Sequence, residues 1–87
     1  MKTFSDLVFK PHGAKAGGVQ SSIQFDNGYG ASVVSTPFTY GGAAGLYELA
    51  VLDKDGSLTY STPITSDVIG WLDETQVSDY FRQIQEL

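Results

Sequence analysis

Apolar and polar positions alternate over residues 19–34, and this alternation predicts two strands joined by a tight turn. Successive side chains of a strand point to opposite faces, so Ile23 and Phe25 share one face while Gln20, Ser22 and Gln24 share the other. The second face, with Ser32 on the partner strand, is expected to be solvated. These residues predict a central β-hairpin with one apolar side.

The register of this hairpin follows from its loop, Asp26, Asn27 and Gly28. A three-residue loop with Gly28 in the left-handed conformation sets Phe25 opposite Tyr29 and gathers the apolar side chains on one face. A two-residue loop scatters them, because a slip of one residue moves every side chain to the other face. The sequence therefore favours the bulged three-residue loop.

Four further segments extend the predicted sheet and its connections. Residues 7–10 predict a short first strand that Pro11 ends, and residues 46–52 predict an apolar strand central in the sheet. A two-residue turn at Asp55 and Gly56 would join that strand to residues 57–61 as a second hairpin. One face of this hairpin then carries Tyr47, Leu49, Val51, Leu58 and Tyr60. Residues 41–45 (Gly-Gly-Ala-Ala-Gly) are interpreted as a flexible connection.

Two helices are expected near the C-terminal end of the chain. Residues 67–72 predict a short helical segment, capped by Thr65 or Ser66, in which Trp71 is more often a core residue than a binding residue. Asp73 and Gln76 then form a capping box for a helix from about Glu74 or Thr75 onward. Its apolar positions recur every three or four residues, as a helix packed along one face requires: Val77, Tyr80, Phe81, Ile84 and Leu87.

Together these elements predict an α+β fold. An antiparallel sheet of four to five strands, built from two hairpins, carries a short helix and a C-terminal amphipathic helix packed on one face. The 87 residues are expected to form a single domain, 1–87. The sequence has no membrane-spanning run, no signal-peptide core and no cysteine, so a soluble cytoplasmic protein is expected.

The charge is negative and unevenly distributed. Five basic and ten acidic residues give a net charge of -5, which disfavours direct contact with nucleic acid and suits a basic protein surface. From residue 67 onward Arg82 is the only basic residue among five acidic ones. A solvated helix face is the usual meaning of such a pattern. The hypothesis is that four acidic residues bind a partner: Asp67, Asp73, Glu74 and Asp79.

No pattern of catalytic or metal-binding residues is found in the sequence. His12, the only histidine, lies in a loop rich in glycine and proline, and residues 41–45 lack the lysine of a phosphate-binding loop. Residues 53–56 lack the further ligands of a calcium loop. Most of five aromatic residues that could stack on bases are instead expected in the core or in cross-strand pairs: Tyr29, Phe38, Tyr40, Tyr47 and Tyr60. We therefore expect a protein that is not an enzyme, needs no cofactor or metal, and acts by binding.

Most of the chain resembles small phage and prophage accessory proteins, on residues 25–34 (FDNGYGASVV), 40–42, 45–52, 62–65 and 67–70. This overall resemblance, to proteins of the anti-CRISPR and anti-defence type, implies an inhibitor that blocks a host complex handling nucleic acid. Two alternatives stay open. One is a structural module that acts as a homo-oligomer, and the other is a sponge for a small molecule or nucleotide with residues 41–45 as its lid.

Overall fold

The computed structural model describes residues 1–11, 17–64 and 67–87. Its strands are β1 (Lys10–Pro11), β2 (Val19–Gln24), β3 (Gly30–Ser35), β4 (Tyr47–Leu52) and β5 (Ile69–Leu72). They form one antiparallel sheet in the order β1-β2-β3-β4-β5. One α-helix, α1 (Glu74–Gln85), follows β5, and 3₁₀ turns occupy Phe4–Asp6 and Gly42–Ala44. The predicted α+β architecture is confirmed.

The central hairpin has the predicted register. Ile23 pairs with Ala31, and the N–H of Phe25 donates to the carbonyl oxygen of Tyr29 at 2.7 Å. Gly28 has φ +94°, as the bulged loop requires. The three-residue loop is confirmed, and it places Ile23, Ala31 and Val33 on the face that packs against α1.

The predicted turn at Asp55 and Gly56 is wrong by one residue. The N–H of Asp53 donates to the carbonyl oxygen of Ser57, and Leu52 pairs with Leu58. The loop therefore has three residues and Gly56 has φ +81°. The predicted returning strand over residues 57–61 is wrong as well, because this segment contributes only the isolated bridge at Leu58. The Asp53 carboxylate stabilises this loop by accepting from the N–H groups of Asp55 and Ser57. The slip moves Leu58 away from the face of Leu49 and Val51.

The predicted short helix at residues 67–72 is also wrong, because Ile69–Leu72 form β5 beside β4. Gly70 is a poor helix former, and the segment is too short to be stable as an isolated helix. Pairing with β4 satisfies its backbone instead. The expected caps, Thr65 and Ser66, lie outside the described residues.

The first strand lies later than predicted. Residues 7–9 are not in a strand, and β1 contains Lys10 and Pro11. Proline is tolerated there because β1 is an edge strand. Leu7 and Phe9 instead pack against the core while half-buried, and His12 lies outside the described residues.

Helix α1 begins at the predicted capping box. Asp73 accepts a hydrogen bond from the N–H of Gln76, and the Gln76 side chain accepts from the N–H of Asp73. The buried stripe of the helix is Val77, Phe81 and Ile84, and the Phe81 ring meets Phe25 edge-on at 5.3 Å. The core therefore lies between α1 and one face of the sheet. No helix within the described residues is long and apolar enough to span a membrane.

Candidate protein-binding surface

Three large aromatic side chains, two in the connection between β3 and β4 and one in β5, are exposed. Phe38 is 85% exposed, Tyr40 63% and Trp71 62%. We call these three residues the aromatic patch. Exposed aromatic side chains are typical of protein-binding sites. The expectation that Trp71 is a core residue is therefore wrong.

The expectation for the other aromatic residues is only partly confirmed. Tyr29 and Tyr47 are half-buried against the core, and Tyr47 packs against the rings of Phe4 and Phe9 at 5.1 and 5.6 Å. Phe38, Tyr40 and Tyr60 are exposed. Side-chain alternation predicts the face that Tyr47 occupies, because Tyr47 lies within β4. It carries no information about residues in turns.

Trp71 is exposed because β5 contains a bulge. Tyr47 pairs with Leu72 and Leu49 pairs with Ile69, so Gly70 and Trp71 together lie opposite Glu48. Trp71 adopts φ +60°, and this conformation accommodates the extra residue of the bulge. Trp71 is the one non-glycine residue with positive φ in the described part of the chain. A side chain in this conformation costs about 1–2 kcal/mol. The fold therefore holds a tryptophan in a strained position at its surface.

Tyr40 is tied to this bulge through its backbone. The N–H of Trp71 donates to the carbonyl oxygen of Tyr40 at 3.1 Å, and the N–H of Tyr40 donates to Oε2 of Glu48 at 2.9 Å. A Cβ built on Gly70 would lie 2.3 Å from Cβ of Tyr40. The absence of a side chain at Gly70 therefore allows Tyr40 to pack directly over β5.

The segment around Phe38 and Tyr40 is held by short-range hydrogen bonds. The N–H of Thr39 donates to the carbonyl oxygen of Thr36 at 3.2 Å, and the N–H of Phe38 donates to Oγ1 of Thr36. The 3₁₀ turn that follows has Gly41 and Gly45 at its ends, both left-handed. Residues 41–45 thus form a hydrogen-bonded turn that connects β3 to β4.

Acidic groups surround the aromatic patch, and the described cations lie elsewhere. Glu48 contacts Tyr40 directly, while Asp67 and Asp73 lie just outside the two ends of β5. Lys10 lies in β1 at the opposite edge of the sheet. Lys54 lies in the turn after β4, where it approaches Gly28. Among the described residues, the charged group shown in contact with the aromatic patch is therefore acidic.

The four acidic residues predicted as partner-binding do not form one patch. Asp73 caps α1, and Glu74 is exposed in the first turn of the helix. Asp79 follows Glu74 by five residues, which separates the two by about 140° around the helix axis. Asp67 is exposed before β5, and its carboxylate accepts from the N–H of Val68 at 2.7 Å.

Asp79 is partly neutralised by Arg82. The guanidinium donates to Asp79 at 2.8 Å and to Glu86 at 2.7 Å. The hydrogen bond from Arg82 lowers the pKa of Asp79 below its ordinary value of 3.8, and a bond from Gln83 lowers it further, while desolvation opposes both. The two carboxylates in turn raise the pKa of Arg82. The charge of Asp79 is therefore partly balanced by Arg82.

The described residues present a groove but no cluster of metal ligands. They include no group of three or more histidine, cysteine or acidic side chains placed to hold a metal ion. A groove of about 280 Å³ lies at the Gly30 and Leu52 end of the sheet. Residues 41–45 lie at the other end of β3 and β4, so the structure does not bring this groove and the suggested lid together.

Comparison with known proteins gives no relative. No family model, curated protein or solved structure matches the chain significantly. The candidate site therefore rests on its own geometry.

Proposed function

We propose that this protein acts by binding a host protein through the aromatic patch, and that binding inhibits or modulates that host protein. The partner has a basic surface, since the patch lies among acidic groups. In this proposal the protein acts without catalytic activity and without a cofactor. The sequence resemblance extends the proposal to a blocker of a nucleic-acid-handling defence complex, of the anti-CRISPR type.

Trp71 is the observation that carries this proposal. Its side chain is 62% exposed at φ +60°, so its backbone strain is not offset by full burial. Strained residues at a surface often mark a functional site, and tryptophan is enriched among the residues that dominate binding energy. A partner that covers Trp71 would remove the remaining apolar surface of the ring from water.

The test is an affinity capture from lysate of the bacterial host, with the wild-type protein beside Trp71→Gly. Glycine accepts positive φ, so this variant is expected to fold. We expect a host protein that the wild type retains and the variant loses. Val8→Ala is the matched control, because Val8 is 74% exposed beside β1 at the opposite edge. Equal recovery of every host protein by wild type and Trp71→Gly would contradict the proposal.

A second candidate function, homo-oligomer assembly, is favoured by the outer edge of β2. β1 pairs only with Val19 and Gln20. Because Phe25 forms a hydrogen-bonded pair with Tyr29, alternation directs the N–H and C=O groups of Ser22 and Gln24 away from β3. Such an edge is a template for strand pairing. Sedimentation at high concentration tests this function: a dimer supports it, and a strict monomer opposes it.

A further inference from the structure

The aromatic patch and its charged neighbours together indicate the chemistry of the partner. The faces of tryptophan and tyrosine rings attract cations through their quadrupole, and tryptophan does so most strongly. At this site the ring of Trp71 is exposed, and the backbone on either side of Tyr40 is bonded to Trp71 and to Glu48. The Tyr40 backbone thus links two elements that attract a cation, the exposed indole of Trp71 and the carboxylate of Glu48.

The placement of the basic residues supports the same conclusion. Arg82 is engaged by Asp79 and Glu86 on α1, and the backbone of Lys2 is bonded to Gln85 near the end of that helix. Lys10 and Lys54 lie at the opposite edge and the opposite end of the sheet. Within the described ranges, no cation of the protein itself is placed against the aromatic patch.

We propose that the aromatic patch and Glu48 form a docking site for an arginine-rich segment of the partner protein. A guanidinium stacks on Trp71 or Tyr40 while its N–H groups donate to the Glu48 carboxylate. This inference rests on the proposed function, and it names the chemical class of the partner surface. Arginine is favoured over lysine because its planar, weakly hydrated guanidinium stacks on aromatic faces and donates to a carboxylate at the same time.

Glu48 is positioned for this role by the fold. It lies in β4 opposite the bulge of β5, and its Oε2 accepts the N–H of Tyr40 at 2.9 Å. The carboxylate is therefore held at the backbone of Tyr40 and opposite the bulge that carries Trp71. Little side-chain entropy remains to be lost when a guanidinium binds, which favours affinity.

The experiment uses fluorescein-labelled octa-arginine as the probe, with binding measured by fluorescence anisotropy at about 0.1 M salt, where the Debye length is about 10 Å. The variants are Trp71→Gly and Glu48→Gln, and octa-lysine is the comparison peptide. Asp55→Asn is the matched control, because it removes one negative charge from the far turn. Glu48 and Leu52 alone are about 13 Å apart along β4, so the control charge is screened from the aromatic patch.

We expect octa-arginine to bind the wild type several-fold more tightly than octa-lysine. Removing the ring or the charge should weaken binding by about fivefold for Trp71→Gly and about threefold for Glu48→Gln, as expected for exposed cation–π and ion-pair contacts. Asp55→Asn should bind like the wild type. Chemical-shift mapping of the wild type with unlabelled octa-arginine should move the Trp71 indole and Glu48 amide signals, which tests the site even if a variant fails to fold.

Three results would overturn the inference. They are no binding of octa-arginine, equal weakening by Glu48→Gln and Asp55→Asn, or equal affinity for octa-lysine. Absence of binding would mean that there is no site, and equal weakening by the two variants would mean only non-specific electrostatic attraction. Equal affinity for octa-lysine would remove the assignment to arginine. The proposed function fails separately. A host protein captured in a Trp71-dependent manner supports it even when octa-arginine does not bind.

Discussion

Replacing Trp71 by glycine and, separately, by alanine isolates the backbone strain at the β5 bulge. Both substitutions remove the indole and its partial packing, so these losses largely cancel between the two variants. Alanine keeps a Cβ at φ +60°, which costs about 1–2 kcal/mol that glycine avoids. Glycine loses about 0.5–1 kcal/mol through the greater freedom of the unfolded chain. We therefore expect Trp71→Gly to be more stable than Trp71→Ala by about 0.5–1 kcal/mol.

The assay is thermal and urea unfolding followed by far-UV circular dichroism, because Trp71 is the only tryptophan and its fluorescence is lost in both variants. For a domain of this size, 0.5–1 kcal/mol corresponds to a difference in Tm of about 2–8 °C. Ser22 provides the control pair, since it is an exposed β2 residue outside the positive-φ set.

At Ser22 the order should reverse, with alanine more stable than glycine by about 0.5–1 kcal/mol. If Trp71→Ala were as stable as Trp71→Gly, or more stable, then Trp71 would not be strained, and the main argument that it marks a functional site would be lost.

Three further predictions test the elements that support the aromatic patch. Gly41→Ala should destabilise the protein more than Gly45→Ala in urea unfolding: both have positive φ, but only the new Cβ at Gly41 meets the backbone of Trp71, at 2.9 Å. Asp73→Ala should lower the free energy of unfolding by about 1 kcal/mol through loss of the α1 cap, whereas Asp73→Asn, which keeps an accepting oxygen, should lower it less. The Arg82 bond lowers the pKa of Asp79 in the folded state, so any stability from this pair is present above pH 3.8 and is lost as the pH falls through the lowered pKa. The urea midpoints of wild type and Asp79→Asn should therefore converge as the pH falls below 3.8. A difference between the midpoints that grows toward low pH would show that the pair destabilises the folded state instead.

The sequence predicts those elements whose local chemistry allows one solution. Asp26, Asn27 and Gly28 fix the central hairpin, because only the bulged loop gathers Ile23 and Phe25 with Ala31. The capping box at Asp73 likewise fixes the start of α1. In both places, turn or cap residues and hydrophobic periodicity agree, and such agreement across levels is what specifies a structure.

The second hairpin and β5 escape prediction for different physical reasons. At residues 53–57, the Asp53 carboxylate accepts hydrogen bonds from two backbone N–H groups and so favours a three-residue loop. The sequence alone suits a two-residue Asp-Gly turn equally well. At residues 69–72, an apolar run of four residues fits a helix or a strand. Only the open edge of β4 decides between them, and that edge is a tertiary feature.

The aromatic patch escapes prediction because its members come from a turn and a bulge. Periodicity assigns faces only within regular elements, and Phe38 and Tyr40 lie outside any strand. One local signal was present: Gly70 directly before Trp71, and Gly41 directly after Tyr40, mark places where backbones approach closely. In the sequence, a glycine next to each of these two aromatic residues indicated a close backbone approach. It did not indicate that the aromatic side chains are exposed.

Photo-crosslinking at position 71 tests the central claim most directly. Trp71 is replaced by p-benzoyl-phenylalanine, the variant is expressed in the proposed bacterial host, and the cells are irradiated. In the control, the exposed Val8 carries the same group. The account predicts a discrete crosslinked host protein from position 71 that is absent from position 8, and octa-arginine added to lysate before irradiation should reduce its yield. Identical crosslinking from the two positions, or none from position 71, would contradict the claim that this protein binds its partner through the aromatic patch.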